Sequence, residues 1–133
     1  MGKPITTTKG GICFAFPNVC KTPTPGGPIP IPYPSIGQLS ATQDPSADVK
    51  AGTKPVVTIA SKISSTTGDA AGTLGGVKSS PVSFGGPVKF TQGSGTVFAN
   101  GNAIVRMGDP TDQNNGNAVG IVLGGFPKVM VGG

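Results

Sequence analysis

The chain has no histidine, no glutamate and no tryptophan, and holds one tyrosine, two cysteines and five aspartates in 133 residues. Without histidine, Ser-His-Asp and Cys-His nucleophilic arrangements are excluded outright. No lysine has a serine three residues before it, so a Ser-x-x-Lys dyad is absent too. Paired-carboxylate hydrolysis would have to use Asp109 and Asp112 or unite two distant aspartates. We therefore expect a protein that is not an enzyme, with no catalytic residue and no cofactor.

Other absences narrow the class further. No apolar run approaches the roughly 18 residues that cross a bilayer, and Met1 to Gly11 lacks the apolar core and cleavage site of a signal peptide. Charged residues make up only 11% of the chain, and the nine lysines and Arg106 behind the net charge of +5 are scattered. Nucleic-acid binders gather such charge on one face and interleave aromatics for stacking, so no nucleic-acid partner is expected. Cys13 and Cys20 are too few for a disulfide framework and read as small buried thiols of a reducing cytoplasm.

What the chain has in abundance is glycine (23) and proline (14). Such a load usually signals disorder, but disordered chains are also polar and highly charged, whereas this one is 35% hydrophobic. The Gly and Pro residues therefore punctuate short strands. The longest stretch free of both is Val56 to Thr67, and seven of its twelve residues are Val, Ile or Thr. β-branched side chains favour a pleated surface, so the expectation is an all-β protein with essentially no helix, one domain over 1–133.

Pro28, Pro30, Pro32 and Pro34 fall on alternate residues. In a strand all four missing N–H donors would lie on one edge, leaving Ile29, Ile31 and Tyr33 free to pair on the other. The segment reads as an extended edge strand or a polyproline II ribbon. Residues 35–53 read as a polar loop. Ile12 to Phe16 is a short apolar run ended by Pro17-Asn18, and candidate strands are Val56 to Ala60, Pro81 to Phe84, Val88 to Phe90, Thr96 to Ala99, Asn102 to Met107, Val119 to Leu123 and Lys128 to Val131. Asn100-Gly101 between two apolar runs predicts a two-residue hairpin. A loose internal echo links Lys54-Pro55-Val56-Val57, Gly86-Pro87-Val88-Lys89-Phe90, Gly95-Thr96-Val97-Phe98 and Pro127-Lys128-Val129-Met130-Val131, as in units that wrap a common axis.

Metal chemistry is thinly supplied. Cys13, Cys20 and one or two aspartates could in principle hold zinc, but two thiols and no histidine make a poor donor set. The stretch Asp109 to Asn117 offers oxygens without the alternating acidic pattern of a calcium loop, and Asp and Asn are what tight turns want.

Gly93 to Asp109, with Asn102-Ala103-Ile104-Val105-Arg106 where Pro-Ala-Ala-Arg would stand, resembles the signature repeat of the PAAR family, the spike-tip proteins of type VI secretion systems. Phe16-Pro17-Asn18-Val19-Cys20, the alternating prolines and Gly68-Asp69-Ala70-Ala71-Gly72-Thr73 resemble its PAAR-like branch. The resemblance implies short strands wound about a pseudo-threefold axis into a cone. The base of that cone would cap a trimeric valine-glycine-repeat (VgrG) spike, one tip per trimer. It further implies assembly in a bacterial cytoplasm, delivery by the injection machine, transient contact with a target membrane, and room for an effector or adaptor at residues 35–53. The tip of a related contractile injector or phage tail, or a small secreted effector, remains an alternative. Family members hold a zinc near the apex with histidines and one cysteine. Cys20 matches the cysteine, while Met107, Gln113 and Asn115 occupy the stretch of the histidines. The resemblance thus implies a metal-free apex here, with Cys20 and Met107 as apolar filling.

Overall fold

The computed structural model describes residues 2–132, so Met1 and Gly133, the ends of the predicted domain, lie outside the described residues. Among the described residues, thirteen strands and one 3-10 turn, Leu39–Ala41, make up the regular structure. The all-β expectation holds.

The strands are β1 (Lys3–Ile5), β2 (Ile12–Thr22), β3 (Ile29–Gln38), β4 (Thr42–Gln43), β5 (Lys50–Ala51), β6 (Lys54–Pro55), β7 (Lys62–Ile63), β8 (Val88–Phe90), β9 (Phe98–Ala99), β10 (Asn102–Ala103), β11 (Pro110–Gln113), β12 (Ala118–Leu123) and β13 (Phe126–Val131). One antiparallel sheet runs β3-β2-β12-β11-β8-β7-β4. Its two end strands, β3 and β4, are consecutive in the chain across the 3-10 turn, and Ile36 bridges Thr67 just beyond β7. The sheet therefore closes on itself. Cys13, Leu39, Ile63, Val88, Phe90 and Val122 fill its interior with Val57 and Val105.

At one end of this barrel stand three two-stranded hairpins, β5-β6, β9-β10 and β13-β1. The third is assembled from the two ends of the chain. Matching positions are Ala51, Ala99 and Val131 on the outer strands, and Val56 and Ile104 just after the inner strands with Ile5 at the end of β1. These six side chains form a separate buried cluster, flanked by Val49, Val97 and Phe126.

The prolines of β3 behave as their spacing predicts. Thr22, Cys20 and Asn18 on β2 pair with Ile29, Ile31 and Tyr33. Ile36 is the first residue of the proline parity that keeps its N–H, and that N–H reaches the Thr67 carbonyl at 2.9 Å. The edge is closed to pairing where proline sits and used where proline stops.

Four sequence expectations need correction. Ser35 to Thr53 is not one loop: Ser35 to Gln38 complete β3, and β4 and β5 lie within the rest. Polar Ser35 can face the interior because Gln113 Nε2 donates to its carbonyl and hydroxyl at 2.9 and 3.1 Å. Pro81 to Phe84 is irregular. Its polar groups bond to Gly76 N and the side chains of Asn114 and Asn115, so no ladder forms. Val56 to Ala60 and Asn102 to Met107 are also broken up, since Val56, Thr58, Ile104 and Arg106 make only single bridges. Each of these segments crosses two others at an axis and cannot run beside either.

Candidate functional site

Three segments meet at that axis: residues 4–8, 55–59 and 103–107. Thr6 N–H donates to Val105 O at 3.1 Å, Val105 N–H to Val57 O at 2.9 Å, and Val57 N–H to Thr6 O at 2.9 Å. The three bonds form a closed triangle. A second ring surrounds it, with Thr8 N–H on Pro55 O, Ile59 N–H on Ala103 O and Met107 N–H on Pro4 O, at 3.0, 3.0 and 2.9 Å. Offsets of 51 and 48 residues relate the three segments throughout. This is an approximate threefold axis written in backbone hydrogen bonds. Of the echo noted in the sequence only Lys54 to Val57 lies in one of the three segments; its counterparts are Lys3 to Thr6 and Asn102 to Val105, while the other members of the echo fall on β8, β9 and β13.

The cycle extends to the hairpins. Ser46 bonds Asn100 in the next hairpin turn, and Ser94 Oγ donates to Gly132 O at 2.6 Å in the turn position of the third. Phe126 completes the circuit by packing against Gly52 in the first. Type I′ geometry closes the two covalent turns, with positive φ at Gly52 and Thr53 and at Asn100 and Gly101. Among the described residues no strand pairs with the second edge of β5, β9 or β13. Those strands carry Lys50, Phe98 and Met130 at equivalent, exposed positions.

Arg106 breaks the symmetry, since Thr7 and Thr58 fill its position in the other two segments. Its guanidinium is buried and grips Asp109 through Nε and Nη2 at 3.1 and 3.0 Å, while Nη1 donates to Gly132 O at 3.3 Å. Lys3 Nζ also approaches Asp109, at 3.8 Å. Arg106 thus fastens the hairpin that lacks a covalent turn.

A second constellation lies where the strands rising from the axis deliver polar side chains. Asn18 comes from β2, Asp69 from the segment after β7, and Asn114 and Asn117 from the turn after β11. All four are buried, as is Cys20. Asn18 Nδ2 donates to Asp69 Oδ2 at 2.7 Å, and Asn18 Oδ1 accepts from Asn114 Nδ2 at 3.0 Å and from Asn117 Nδ2. Asp69 also accepts the Gly85 N–H at 2.8 and 2.9 Å. Cys20 Sγ lies 3.7–3.8 Å from Asn18, Asp69 and Asn114. Burial, and then the Asp69 carboxylate, push its thiol up to about 11, so it is a neutral thiol at ordinary pH.

Of the four residues singled out from the sequence, only Cys20 belongs to this cluster. Gln113 is spent on Ser35 and Thr111, and Asn115 Nδ2 on Pro81 O and Ser83 Oγ. Met107 is 41% exposed at the turn after the axis, so it is no apolar filling. Cys20 is buried, but among polar groups. Asp109 and Asp112 form no pair, since Asp109 is held by Arg106 and Asp112 sits opposite Lys89 and Val119 across β11. Sequence reasoning missed Asn18, Asn114 and Asn117. The signal was present as Asn next to motif residues, but Asn in a glycine-rich chain reads first as a turn former.

The donor set does not fit the zinc of the resemblance. Zinc asks for thiolate, imidazole or carboxylate, and among the described residues no group of three His, Cys, Asp or Glu side chains converges. Three carboxamide NH2 groups point into the cluster instead.

No curated protein and no solved structure shows significant similarity to the chain. The profile of the Toxin PAAR-like domain matches residues 11–120, from the start of β2 into β12. That span takes in the barrel, two of the three hairpins and the polar cluster, and the chain belongs to the Toxin PAAR-like domain family.

Proposed function

We propose that the whole chain is a spike-tip domain that caps the symmetric end of a trimeric VgrG-type spike in a type VI secretion system, docking through the three-hairpin end. One observation carries this reading: a single chain repeats the same hairpin three times around a closed ring of hydrogen bonds. A trimer presents three identical surfaces about one axis, and only a partner with matching pseudosymmetry can engage all three at once. The open edges of β5, β9 and β13 supply backbone groups for strand addition. The role is mechanical: the tip is carried out of the cytoplasm with the spike, and any cargo rides on it.

The test is assembly with the cognate spike trimer, read by size-exclusion chromatography with light scattering. A complex of three spike chains to one tip is expected. Phe98→Asp and Met130→Asp change exposed side chains of the docking strands and should abolish the complex while leaving the circular-dichroism spectrum intact. No association of the wild-type chain with its trimer refutes the reading, and undiminished association of both variants refutes the assigned face.

A further inference from the structure

The polar cluster sits where one segment from each of the three repeats comes together, and its bonding is complete. Asn18 Oδ1 takes two donors, from Asn114 and Asn117. Asn18 Nδ2 is committed to Asp69, and Asn117 Nδ2 also reaches Val19 O at 2.9 Å. On the rear side, Asn114 Oδ1 accepts from Ser83 Oγ and Gly86 N–H at 2.7 and 3.0 Å, and Asn117 Oδ1 from Lys78 N–H at 2.8 Å. Those rear contacts fix the orientation of both amides and turn their NH2 groups inward.

The polarity of the cluster follows from this. A bound cation needs several lone pairs aimed at one point. Here three carboxamide NH2 groups face inward, and the inward oxygens of Asn18 and Asp69 already accept from them and from the Gly85 N–H. Among the described residues no buried side-chain N or O lacks a partner, so nothing is left waiting for an ion. Gly72, Gly76 and Gly86 pack against Cys20, Asn117 and Asn114 so closely that any side chain there would displace them. On these sides the backbone packs directly against the amides and the thiol.

We infer that a hydrogen-bonded lock of Asn18, Asp69, Asn114 and Asn117 around the Cys20 thiol does in this chain the work that a metal does elsewhere in the wider PAAR family, cross-linking the three repeats without any ion. The lock is a charge-assisted network. One carboxylate is shared between an amide and the Gly85 backbone, and such networks hold best when every member is satisfied. Folding of this protein then draws on no zinc supply. This inference stands on the cluster alone and does not depend on docking to a spike.

The experiment uses the full chain, purified without chelator and without a metal-affinity step. Elemental analysis should find no stoichiometric zinc, and the thermal midpoint should be the same in excess chelator, in buffer and in added zinc. Asn114→Asp is the second arm, because it replaces an inward donor with an acceptor facing Asn18 Oδ1. This variant should melt well below the wild type in chelator and regain part of the difference in zinc. One equivalent of zinc in the wild type, or a midpoint lowered by chelator, overturns the inference. So does an Asn114→Asp protein as stable as the wild type without metal.

Discussion

Phe126 covers Gly52 so closely that a β-carbon built there would lie 2.8 Å from the ring. The contact holds the terminal hairpin against the first one, where serine hydroxyls do the same task at the other two junctions. Gly52 also has φ +60°, a conformation that costs any side chain. Gly52→Ala should therefore destabilise the protein by about 2–3 kcal/mol, strain and overpacking acting together. Chemical denaturation checks this, and an unchanged midpoint would mean that the ring moves aside freely.

The neighbouring turn position offers the opposite change. Thr53 has φ +69°, and a β-branched residue in the left-handed region is strained. The matching hairpin has Gly101 there, with φ +80°. Since Thr53 is exposed, Thr53→Gly loses little packing and should stabilise the chain by about 0.5–1 kcal/mol. Denaturant midpoints at constant slope would show it, whereas a loss of stability would place an unseen burden on the threonine.

How much of this was legible follows from the range of each signal. The Asn100-Gly101 hairpin and the one-sided prolines of β3 were readable because both are set by backbone chemistry within a few residues. The Gly52-Thr53 turn was missed because threonine is unsuited to it. The threefold ring was not read from the sequence: the echo set Lys54 to Val57 beside residues of β8, β9 and β13, whereas its counterparts in the ring are Lys3 to Thr6 and Asn102 to Val105, about 50 residues apart and joined by backbone atoms, which place little demand on side-chain identity. The β13-β1 hairpin pairs the two ends of the chain, a contact no local pattern announces. In the polar cluster, Cys20 was visible as a motif residue. Its amide partners converge only once three separate strands are laid side by side.

Arg106 provides the third prediction. Its ion pair with Asp109 is buried, with both side chains at least nine-tenths covered, and removing one partner strands the other charge. Arg106→Ala should cost about 3–5 kcal/mol. Arg106→Lys should recover little, since one ammonium cannot meet both Asp109 oxygens and Gly132 O in the geometry of the planar guanidinium. The loss should register at the C-terminus as faster amide exchange in β13 than in β12. Equal stability of the lysine variant would reduce the guanidinium to a simple charge.

The last prediction concerns alkaline pH. Burial pushes the Cys13 thiol from the ordinary 9.0 up to about 12, so the folded chain keeps a proton that the unfolded chain releases. A group with a raised folded pKa contributes stability in full below its unfolded value and loses it as pH rises toward the folded one. Stability should therefore be flat below pH 9 on this account and fall between pH 9 and about 12, at up to about 1.4 kcal/mol per pH unit for this one thiol. Cys13→Ala will cost stability at every pH through the cavity it leaves among Leu39, Val88 and Val122. Its slope above pH 9 should nevertheless be shallower than that of the wild type. Urea midpoints from pH 7 to 11 for both proteins separate the two effects. Parallel curves would mean that the buried thiol ionises in the native state as easily as in water, and with it would go the claim that the barrel interior is dry around Cys13.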